Sequence, residues 1–409
     1  MDKRKILLLF LVLILFTATG CRKGEIPKNE MGEPGGTKEE VTEKEEVDFV
    51  MEKVNEMTID EKIGQLLIVG IDGYSIDEKA IEMIQKYHIG GFILFNRNIQ
   101  DANQTISLIN SLKETNESND IPLFISLDEE GGRVTRLPHE FIKTPSSKKI
   151  GKKDDESITY EIGKTIGRNV KSLGFNLDFA PVLDIFSNPN NTVIGDRAFG
   201  TNPEIVWKHG IQLMNGIKSE DVIPVIKHFP GHGDTTVDSH EDLPFIDKNL
   251  EQIENFELIP FKKAIEKGAE VVMVSHIMLP NIDDANPATF SREIINNILR
   301  EKLGFDGVII TDDMTMGAIV KNYDIGDASV KSLKAGSDII LVCHGYENYT
   351  KVINAIKGAV DNGEISLDYI NQKVYRILKL KEKYAIEDRR IDSIDVEELN
   401  KETKDVLEK

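Results

Sequence analysis

The chain has 409 residues, and 50 Lys and Arg against 70 Asp and Glu give it a formal net charge of −20. Hydrophobic residues make up 40% and charged residues 29%, a composition that excludes collagen-like, fibrous and wholly disordered proteins. The acid excess argues against a nucleic-acid partner and gives no attraction to an anionic membrane surface. The length allows one large domain, such as an α/β barrel, or two smaller ones.

The first 21 residues have the order of regions found in an export signal. Residues 2–5 are mostly basic, and residues 6–16 form an apolar run of 11 residues, too short to span a bilayer comfortably. Residues 17–21 resemble a bacterial lipobox, in which the Cys is lipidated and becomes the new N-terminus. We therefore predict a lipoprotein signal peptide over 1–21 with lipid on Cys21, in preference to a plain signal anchor or secretory signal. The expected location is the cell membrane, with the folded domain outside the cytoplasm.

The chain contains two cysteines, Cys21 and Cys343. If Cys21 carries lipid, Cys343 has no intrachain partner, so no disulfide staples the fold. Cys343 ends an apolar run and is interpreted as a buried strand thiol. Residues 22–48 are rich in Glu, Lys, Gly and Pro and are predicted to form a disordered acidic linker. Residues 386–409 form a charged tail whose structure the pattern leaves open.

Between these ends, residues 49–385 alternate short apolar runs with amphipathic stretches. Apolar runs rich in β-branched residues are typical of strands buried on both faces of a parallel sheet. Eight such runs with intervening helices predict a single TIM-type (β/α)8 barrel, with a doubly wound open sheet as the alternative. The alternative lacks the glycine-rich dinucleotide fingerprint. The predicted strands are 65–69, 91–95, 123–127, 177–183, 222–227, 271–275, 307–311 and 338–342, and the predicted helices include 76–87, 102–114, 157–173, 203–218, 250–267 and 292–303.

Polar side chains follow five of the predicted strands, at the point where each strand ends. In a β/α barrel the loops after the strands form the active face, so these residues are expected to meet at one rim. Packing alone gives no reason for acids, bases and cations to recur at this position. The segments are 128–133 after the third strand, Asp184 after the fourth, 227–234 after the fifth, 275–276 after the sixth and 311–313 after the seventh.

The loop after the fifth strand contains Asp238 and His240, which are close enough in sequence to face one pocket. A carboxylate that accepts a hydrogen bond from one imidazole nitrogen fixes the tautomer and raises the basicity of the other. The pair therefore predicts a general acid/base at His240. The alternative is a zinc site built from His228, His232, Asp234 and His240, but the spacing matches no standard zinc motif.

Asp312 closes the seventh predicted strand. A carboxylate held at a strand end near cations stays ionised and can act as a nucleophile, whereas its neighbour Asp313 suits a supporting hydrogen-bonding role. Arg136 and Arg197 lie in strand-end or long loops and present rigid forks of donors. A carboxylate nucleophile with one acid/base is the minimal set for retaining glycoside hydrolysis, although both groups are usually carboxylates.

Four ordered motifs resemble the β-N-acetylglucosaminidase branch of glycoside hydrolase family 3. The segment 227–234 followed by 238–240 is similar to the signature of that branch, and 128–136 resembles its third-strand motif, with Glu129 where Gln is common. Segments 194–200 and 311–314 also match, and the similarity extends from about 61 to 318. Together with the lipobox-like segment, the resemblance indicates a lipoprotein member of this branch.

The resemblance implies a β/α barrel that hydrolyses terminal β-linked N-acetylglucosamine, including cell-wall muropeptides, through a covalent glycosyl–enzyme intermediate. It implies Asp312 as nucleophile and His240 as acid/base supported by Asp238. No metal and no organic cofactor are implied, and we expect a monomer. The residues that the resemblance assigns to sugar binding are Asp128, Arg136, Arg197, Lys227 and His228.

Several alternatives stay open at this point. The adjacent acids Asp312 and Asp313 could instead support substrate-assisted hydrolysis, in which the acetamide of the substrate is the nucleophile. A phosphorylase-type or β-glucosidase-type member of the same family is a second alternative, and a non-catalytic sugar-binding lipoprotein is a third.

Overall fold

The structure is a computed structural model that describes residues 48–235 and 243–409. The predicted signal peptide, Cys21 and all but the last residue of the predicted linker lie outside these ranges. Asp238 and His240 also lie outside them, in the segment 236–242.

Eight parallel strands form a barrel, as the sequence predicts. The barrel strands are β1 (Leu67–Gly70), β2 (Gly91–Ile93), β3 (Phe124–Leu127), β4 (Leu177–Asp178), β5 (Ile223–Phe229), β6 (Val271–Val274), β9 (Val308–Thr311) and β10 (Ile340–Val342). The sheet order is β10-β1-β2-β3-β4-β5-β6-β9. Strands β9 and β10 close the ring through the Thr311 N–H, which donates to the Ile339 carbonyl at 3.0 Å, and the Asp338 N–H, which donates to the Ile309 carbonyl at 2.7 Å.

A short antiparallel hairpin follows β6 and is not part of the barrel. Its strands are β7 (Met278–Leu279) and β8 (Asp283–Pro287), so the seventh and eighth barrel strands carry the labels β9 and β10. The sequence analysis does not predict this hairpin. Strand β8 is largely accessible to solvent and therefore lacks the apolar pattern that marks the barrel strands.

Helices surround the barrel and follow the predicted alternation. The stretch 250–267 is an exception, because it divides into α8 (Leu250–Glu254) and α9 (Leu258–Glu266). Pro260 explains the division, since proline is tolerated in the first turn of a helix but not in its interior. The predicted helix 292–303 is a helix of π type, Glu293–Lys302. The remaining helices are α1 (Phe49–Glu56), α2 (Ile59–Gln65), α3 (Glu78–Gln85), α4 (Ala102–Thr115), α5 (Ser147–Lys153), α6 (Glu156–Ser172), α7 (Pro203–Lys218), α10 (Gly317–Val320), α11 (Ile325–Ala335), α12 (Tyr346–Asp361), α13 (Leu367–Lys383) and α14 (Val396–Leu407).

Short polar residues fix where several helices begin. The carboxylates of Asp77, Asp101 and Asp155 accept from the backbone N–H groups three residues later, at the starts of α3, α4 and α6. Each cap satisfies a donor that the first helical turn leaves without a partner, which stabilises the helix by about 1 kcal/mol. In the described ranges, no helix combines the length and the apolar character needed to cross a membrane.

The C-terminal tail ends in a helix that packs against the barrel domain. Helix α14 contacts α6, and the Arg168 guanidinium donates to the Glu402 carboxylate at 2.5 Å. The Asn400 side chain accepts from the Ile142 N–H at 2.7 Å and donates to the Glu140 carbonyl at 2.7 Å. The C-terminal tail, whose structure the sequence pattern leaves open, therefore contains a helix that is attached to the barrel domain.

Candidate active site

A cavity of about 570 Å³ opens at the carboxyl ends of the barrel strands. Polar and charged side chains from four strand ends line one side of it, and aromatic and apolar groups complete the wall. This is the rim at which the sequence analysis expects the functional residues to meet. The lining includes Phe95, Asp128, Glu130, Arg133, Arg136, Arg197, Lys227, His228, His232, Met273, Asp312, Asp313, Met316, Cys343 and His344.

A buried network of four charges forms the floor of the cavity. The Lys227 ammonium lies between two carboxylates, with Nζ 2.7 Å from Asp128 Oδ1 and 2.8 Å from Glu130 Oε1. Arg197 binds Glu130 through two parallel hydrogen bonds, at 2.8 Å from Nε and 2.7 Å from Nη2. Two-point pairing of this kind fixes the guanidinium plane as well as its position.

The charges in this network stabilise one another. Burial alone raises the pKa of Glu130, but the charges of Arg197 and Lys227 outweigh it and hold that pKa well below its usual range. Burial likewise lowers the pKa of Lys227, but the carboxylates of Asp128 and Glu130 reverse the direction and raise it. Glu130 and Lys227 therefore stay ionised at neutral pH and present a fixed acceptor and a fixed donor to a ligand.

Asp184, which follows β4, organises the beginning of the loop after β5. Its Oδ2 accepts from His228 Nδ1 at 2.6 Å, and its Oδ1 accepts from the His232 backbone N–H at 2.6 Å. The other ring nitrogen of His228, Nε2, lies 3.3 Å from Arg197 Nη2. Burial, and then the neighbouring His228 ring, lower the pKa of His232 to about 4, so the His232 ring is neutral at neutral pH.

Asp312 lies at the end of β9 and lines the cavity. Its backbone N–H donates to the Val274 carbonyl at 2.9 Å, which ties the strand end to β6. Its Oδ1 accepts from the Asp313 N–H at 2.8 Å. The Asp313 carboxylate is held differently, because it accepts from the Thr315 N–H at 2.9 Å and from the Cys343 N–H at 3.0 Å. These bonds fit the supporting role expected for Asp313.

The loop after β3 brings Arg136 close to Asp128 at the edge of the cavity floor. Arg136 Nη2 lies 3.7 Å from Asp128 Oδ2, and its guanidinium carbon lies 5.8 Å from the centre of the Phe95 ring. The Phe95 ring stacks on His344 with ring centres 5.6 Å apart. Phe95 and His344 thus form an aromatic part of the cavity wall beside the Arg136 cation.

Two members of the alternative zinc site, His232 and Asp234, contact other side chains. Asp234 Oδ2 pairs with Lys248 Nζ at 2.8 Å, and the His232 ring nitrogen Nδ1 lies 2.9 Å from the Thr235 hydroxyl. Among the residues that the structure describes, no three His, Cys, Asp or Glu side chains are grouped as ligands of a metal ion. The fourth candidate, His240, lies outside the described residues.

Six residues named from the sequence line this one cavity: Asp128, Arg136, Arg197, Lys227, His228 and Asp312. Glu130 and Asp184 follow predicted strands but are not among the predicted site residues. Their position after a strand is the sequence feature that could have identified them. Phe95 and His344 follow β2 and β10 and were missed, because neither belongs to a motif. The thiol of Cys343 is buried, as interpreted, and burial raises its pKa well above the usual range.

Known proteins share this fold and much of this sequence. The family description "Glycosyl hydrolase family 3 N terminal domain" matches residues 58–380. Beta-hexosaminidase A of Pseudoalteromonas piscicida is 35% identical over 326 residues, which are 74% of this chain and 54% of that relative. This chain thus spans about half the length of that relative. Beta-hexosaminidase LpqI of Mycobacterium tuberculosis is 31% identical over 328 residues, 78% of this chain and 82% of the relative.

A solved structure is similar to this chain in both fold and sequence. A glycoside hydrolase family 3 β-N-acetylglucosaminidase from Paenibacillus sp. str. FPU-7 has a TM-score of 0.81 and 37% identity, and the match covers 86% of this chain and 68% of that one. The matched region includes the strands and loops that line the cavity. The chain belongs to glycoside hydrolase family 3.

Proposed function

We propose that the protein is a retaining β-N-acetylhexosaminidase that hydrolyses terminal β-linked N-acetylglucosamine through a covalent glycosyl–enzyme intermediate. Family membership supports glycoside hydrolysis, and the β-hexosaminidase and β-N-acetylglucosaminidase names of the relatives support the amino-sugar substrate. The observation that carries the proposal is the cavity in which Asp312 meets the charged network of Asp128, Glu130, Arg197 and Lys227.

Asp312 is the proposed nucleophile. The Asp313 N–H donates to its Oδ1 at 2.8 Å, which orients the carboxylate. Attack on the anomeric carbon forms the glycosyl ester, and water then displaces the sugar with retention of configuration. The bonds to Asp313 from Thr315 and Cys343 favour this route over the acid-pair alternative, because Asp313 is already engaged in holding the β9 and β10 loops together.

His240 is the proposed acid/base, and Asp238 is its proposed support. Both assignments rest on the resemblance of 227–240 to the family signature. The acid protonates the departing oxygen in the first step and removes a proton from water in the second.

The charged floor of the cavity is the proposed sugar-binding surface. Asp128 and Lys227 present an acceptor and a donor side by side, which suits vicinal hydroxyl groups that both donate and accept. Arg136, Arg197 and His228 surround the same space. Because Glu130 and Asp184 fix Arg197 and His228 in place, little side-chain entropy is lost when a ligand binds.

The proposed setting is the outer side of a bacterial cell membrane, with lipid on Cys21 as the anchor and muropeptides or related amino sugars as substrates. We further propose a monomer that binds no nucleic acid. The basic and apolar regions of 2–16 followed by the lipobox support the anchor. Replacing Cys21→Ser should move the protein from the membrane fraction to the soluble fraction, and an unchanged distribution would contradict lipid anchoring.

A hydrolysis assay tests the function directly. An aryl N-acetyl-β-glucosaminide should be cleaved, whereas the matched aryl β-glucoside should be cleaved much more slowly. The assay is run with and without inorganic phosphate, so that sugar phosphate as product would identify a phosphorylase instead. Binding of N-acetylglucosamine without turnover of either aryl glycoside would identify a non-catalytic binder and contradict the proposal.

A further inference from the structure

The loop 128–137 carries two proposed sugar-binding residues, and one buried carboxylate closes it. Glu129 Oε2 accepts from the Thr135 hydroxyl at 2.7 Å, from the Arg136 N–H at 2.8 Å and from the Leu137 N–H at 3.2 Å. Asp128 and Arg136 therefore lie near the two ends of a loop in which a single carboxylate oxygen accepts three hydrogen bonds.

The backbone of the same loop supports this closure. The Glu130 N–H donates to the Val134 carbonyl at 3.0 Å, and Gly131 occupies the turn with a φ of 79°, a conformation that glycine adopts without strain. The Glu129 N–H leaves the loop and donates to Asp178 Oδ1 on β4 at 2.8 Å. Asp178 thus fixes the position of Glu129, and Glu129 fixes the loop.

Each of these two carboxyl groups has one oxygen without a hydrogen-bond partner. Glu129 Oε1 and Asp178 Oδ2 are both buried and unpartnered, and both residues are fully shielded from solvent. Leaving a buried acceptor without a donor costs free energy, and the cost is larger when the group carries a charge. A proton on a carboxyl group lowers this cost, because the group is then neutral.

We propose that Glu129 and Asp178 are a positioning pair that keeps the loop 128–137 closed only while the pair retains at least one proton. The inference rests on the proposed function, because it concerns sugar binding by Asp128 and Arg136. Neither member of the pair is a catalytic residue, since Glu129 and Asp178 act through the loop that they hold.

The charges around the pair are consistent with a retained proton. Asp128 and Arg136 face it from the same loop, and Lys227 faces it from β5. Burial raises the pKa of Glu129 to about 7, and the hydrogen bonds and the Arg136 charge only partly oppose it. Burial, together with the charge of Glu129, raises the pKa of Asp178 well above its usual range although Lys227 opposes it.

Loss of the last proton would place two like charges in a site closed to water. Their repulsion is strong at low dielectric, and the movable partner is the loop, because Asp178 belongs to a barrel strand. Opening the loop would move Asp128 and Arg136 away from the sugar. The expected result is weaker sugar binding on the alkaline side of neutrality, seen as a rise in KM.

The experiment compares the wild type with Glu129→Gln and Glu129→Ala. Gln keeps an oxygen for the three loop donors and replaces the unpartnered oxygen with an amide nitrogen that cannot be ionised. We expect KM for the aryl N-acetyl-β-glucosaminide to rise at least about threefold between pH 6 and pH 10 in the wild type, as the pair loses its last proton, and to stay flat in Glu129→Gln. Glu129→Ala should show a raised KM at both pH values.

Glu270→Gln is the matched control. Glu270 precedes β6 at the other end of the barrel and pairs with Lys218 at 2.9 Å, so its replacement removes a partly buried carboxylate without touching the loop. This variant should keep the wild-type dependence of KM on pH. An identical KM–pH profile in the wild type and Glu129→Gln would overturn the proposal.

A spectroscopic measurement separates this proposal from the proposed function. The infrared difference spectrum between the wild type and Glu129→Gln should contain the carbonyl stretch of a protonated carboxyl group at pH 6, and this band should disappear at pH 8.5. The band requires no turnover and would persist if the assigned activity were wrong. Absence of the band at pH 6 both here and in the difference spectrum between the wild type and Asp178→Asn would refute the retained proton even in an active enzyme.

Discussion

Lys227→Met removes the central charge of the cavity floor and keeps the length and apolar stem of the side chain. In the folded protein the ammonium lies 2.7 Å from Asp128 and 2.8 Å from Glu130, and the Lys227 side chain is only 2% exposed. The substitution therefore leaves two carboxylates in a poorly solvated site with one cation fewer.

The size of the stability loss depends on the partners that Asp128 and Glu130 retain in the variant. Breaking a buried ion pair by removing one partner costs about 3–5 kcal/mol, mostly because the remaining charge stays buried. Glu130 keeps its two hydrogen bonds from Arg197, and Asp128 keeps Arg136 at 3.7 Å. We therefore expect a loss near the lower limit, about 3 kcal/mol in the free energy of unfolding, together with a large rise in KM for the aryl N-acetyl-β-glucosaminide.

Urea denaturation at pH 7 measures the loss of stability, and Lys208→Met provides the control. Lys208 pairs with Asp154 at a similar distance, 2.9 Å, but that carboxylate is 49% exposed. An exposed pair contributes little to stability, because water screens the attraction between its charges. If Lys227→Met and Lys208→Met lost equal free energy, burial would not control the strength of the network and the reasoning would be wrong.

Three further predictions concern the chemistry and the buried acids. Asp312→Asn should lower kcat by at least about a thousandfold, roughly 4 kcal/mol in the barrier, with an unchanged melting temperature; activity within about tenfold of wild type would exclude Asp312 as the nucleophile. His240→Ala should slow glycosides with poor leaving groups far more than activated aryl glycosides, and equal losses in kcat/KM would exclude His240 as the acid. Because the pKa of Glu129 is about 7 in the folded protein against 4.5 ordinarily, its contribution to stability is present below pH 4.5 and is lost as the pH rises through 7. Relative to Glu129→Gln, the wild type should lose about 3 kcal/mol of unfolding free energy over that window, and a constant difference in urea denaturation would contradict the raised pKa.

The barrel strands could be predicted because they are apolar on both faces. The fourth strand shows the limit of that signal, since the predicted run 177–183 contains only the regular strand Leu177–Asp178. Pro181 has no N–H to donate and interrupts the ladder. Pairing resumes beyond it, where the Leu183 N–H donates to the Lys227 carbonyl at 2.6 Å. The apolar pattern therefore located the strand correctly but could not show the interruption.

Much of the site could also be predicted, because functional residues of a β/α barrel lie where its strands end. Asp128 and Asp312 directly follow barrel strands and Lys227 lies near the end of β5, so barrel geometry alone brings them to one rim. The pairing of Glu130 with Arg197 could not be predicted, because 67 residues separate them and the loop that carries Arg197 has no regular pattern. The pairing of two buried carboxyl groups, Glu129 and Asp178, was equally hidden, since sequence patterns do not reveal which polar atoms lack partners.

Trapping with a 2-fluoro amino-sugar analogue that carries an activated leaving group tests the central claim most directly. The fluorine slows both the formation and the hydrolysis of the glycosyl ester, and the activated leaving group restores the rate of formation. The intermediate therefore accumulates, and its site of attachment can be read by peptide mass spectrometry. The account predicts a sugar adduct on the peptide that contains Asp312 and none in Asp312→Asn. No adduct on the wild type, combined with strong inhibition by a thiazoline that mimics the acetamide intermediate, would show that Asp312 does not form the covalent bond.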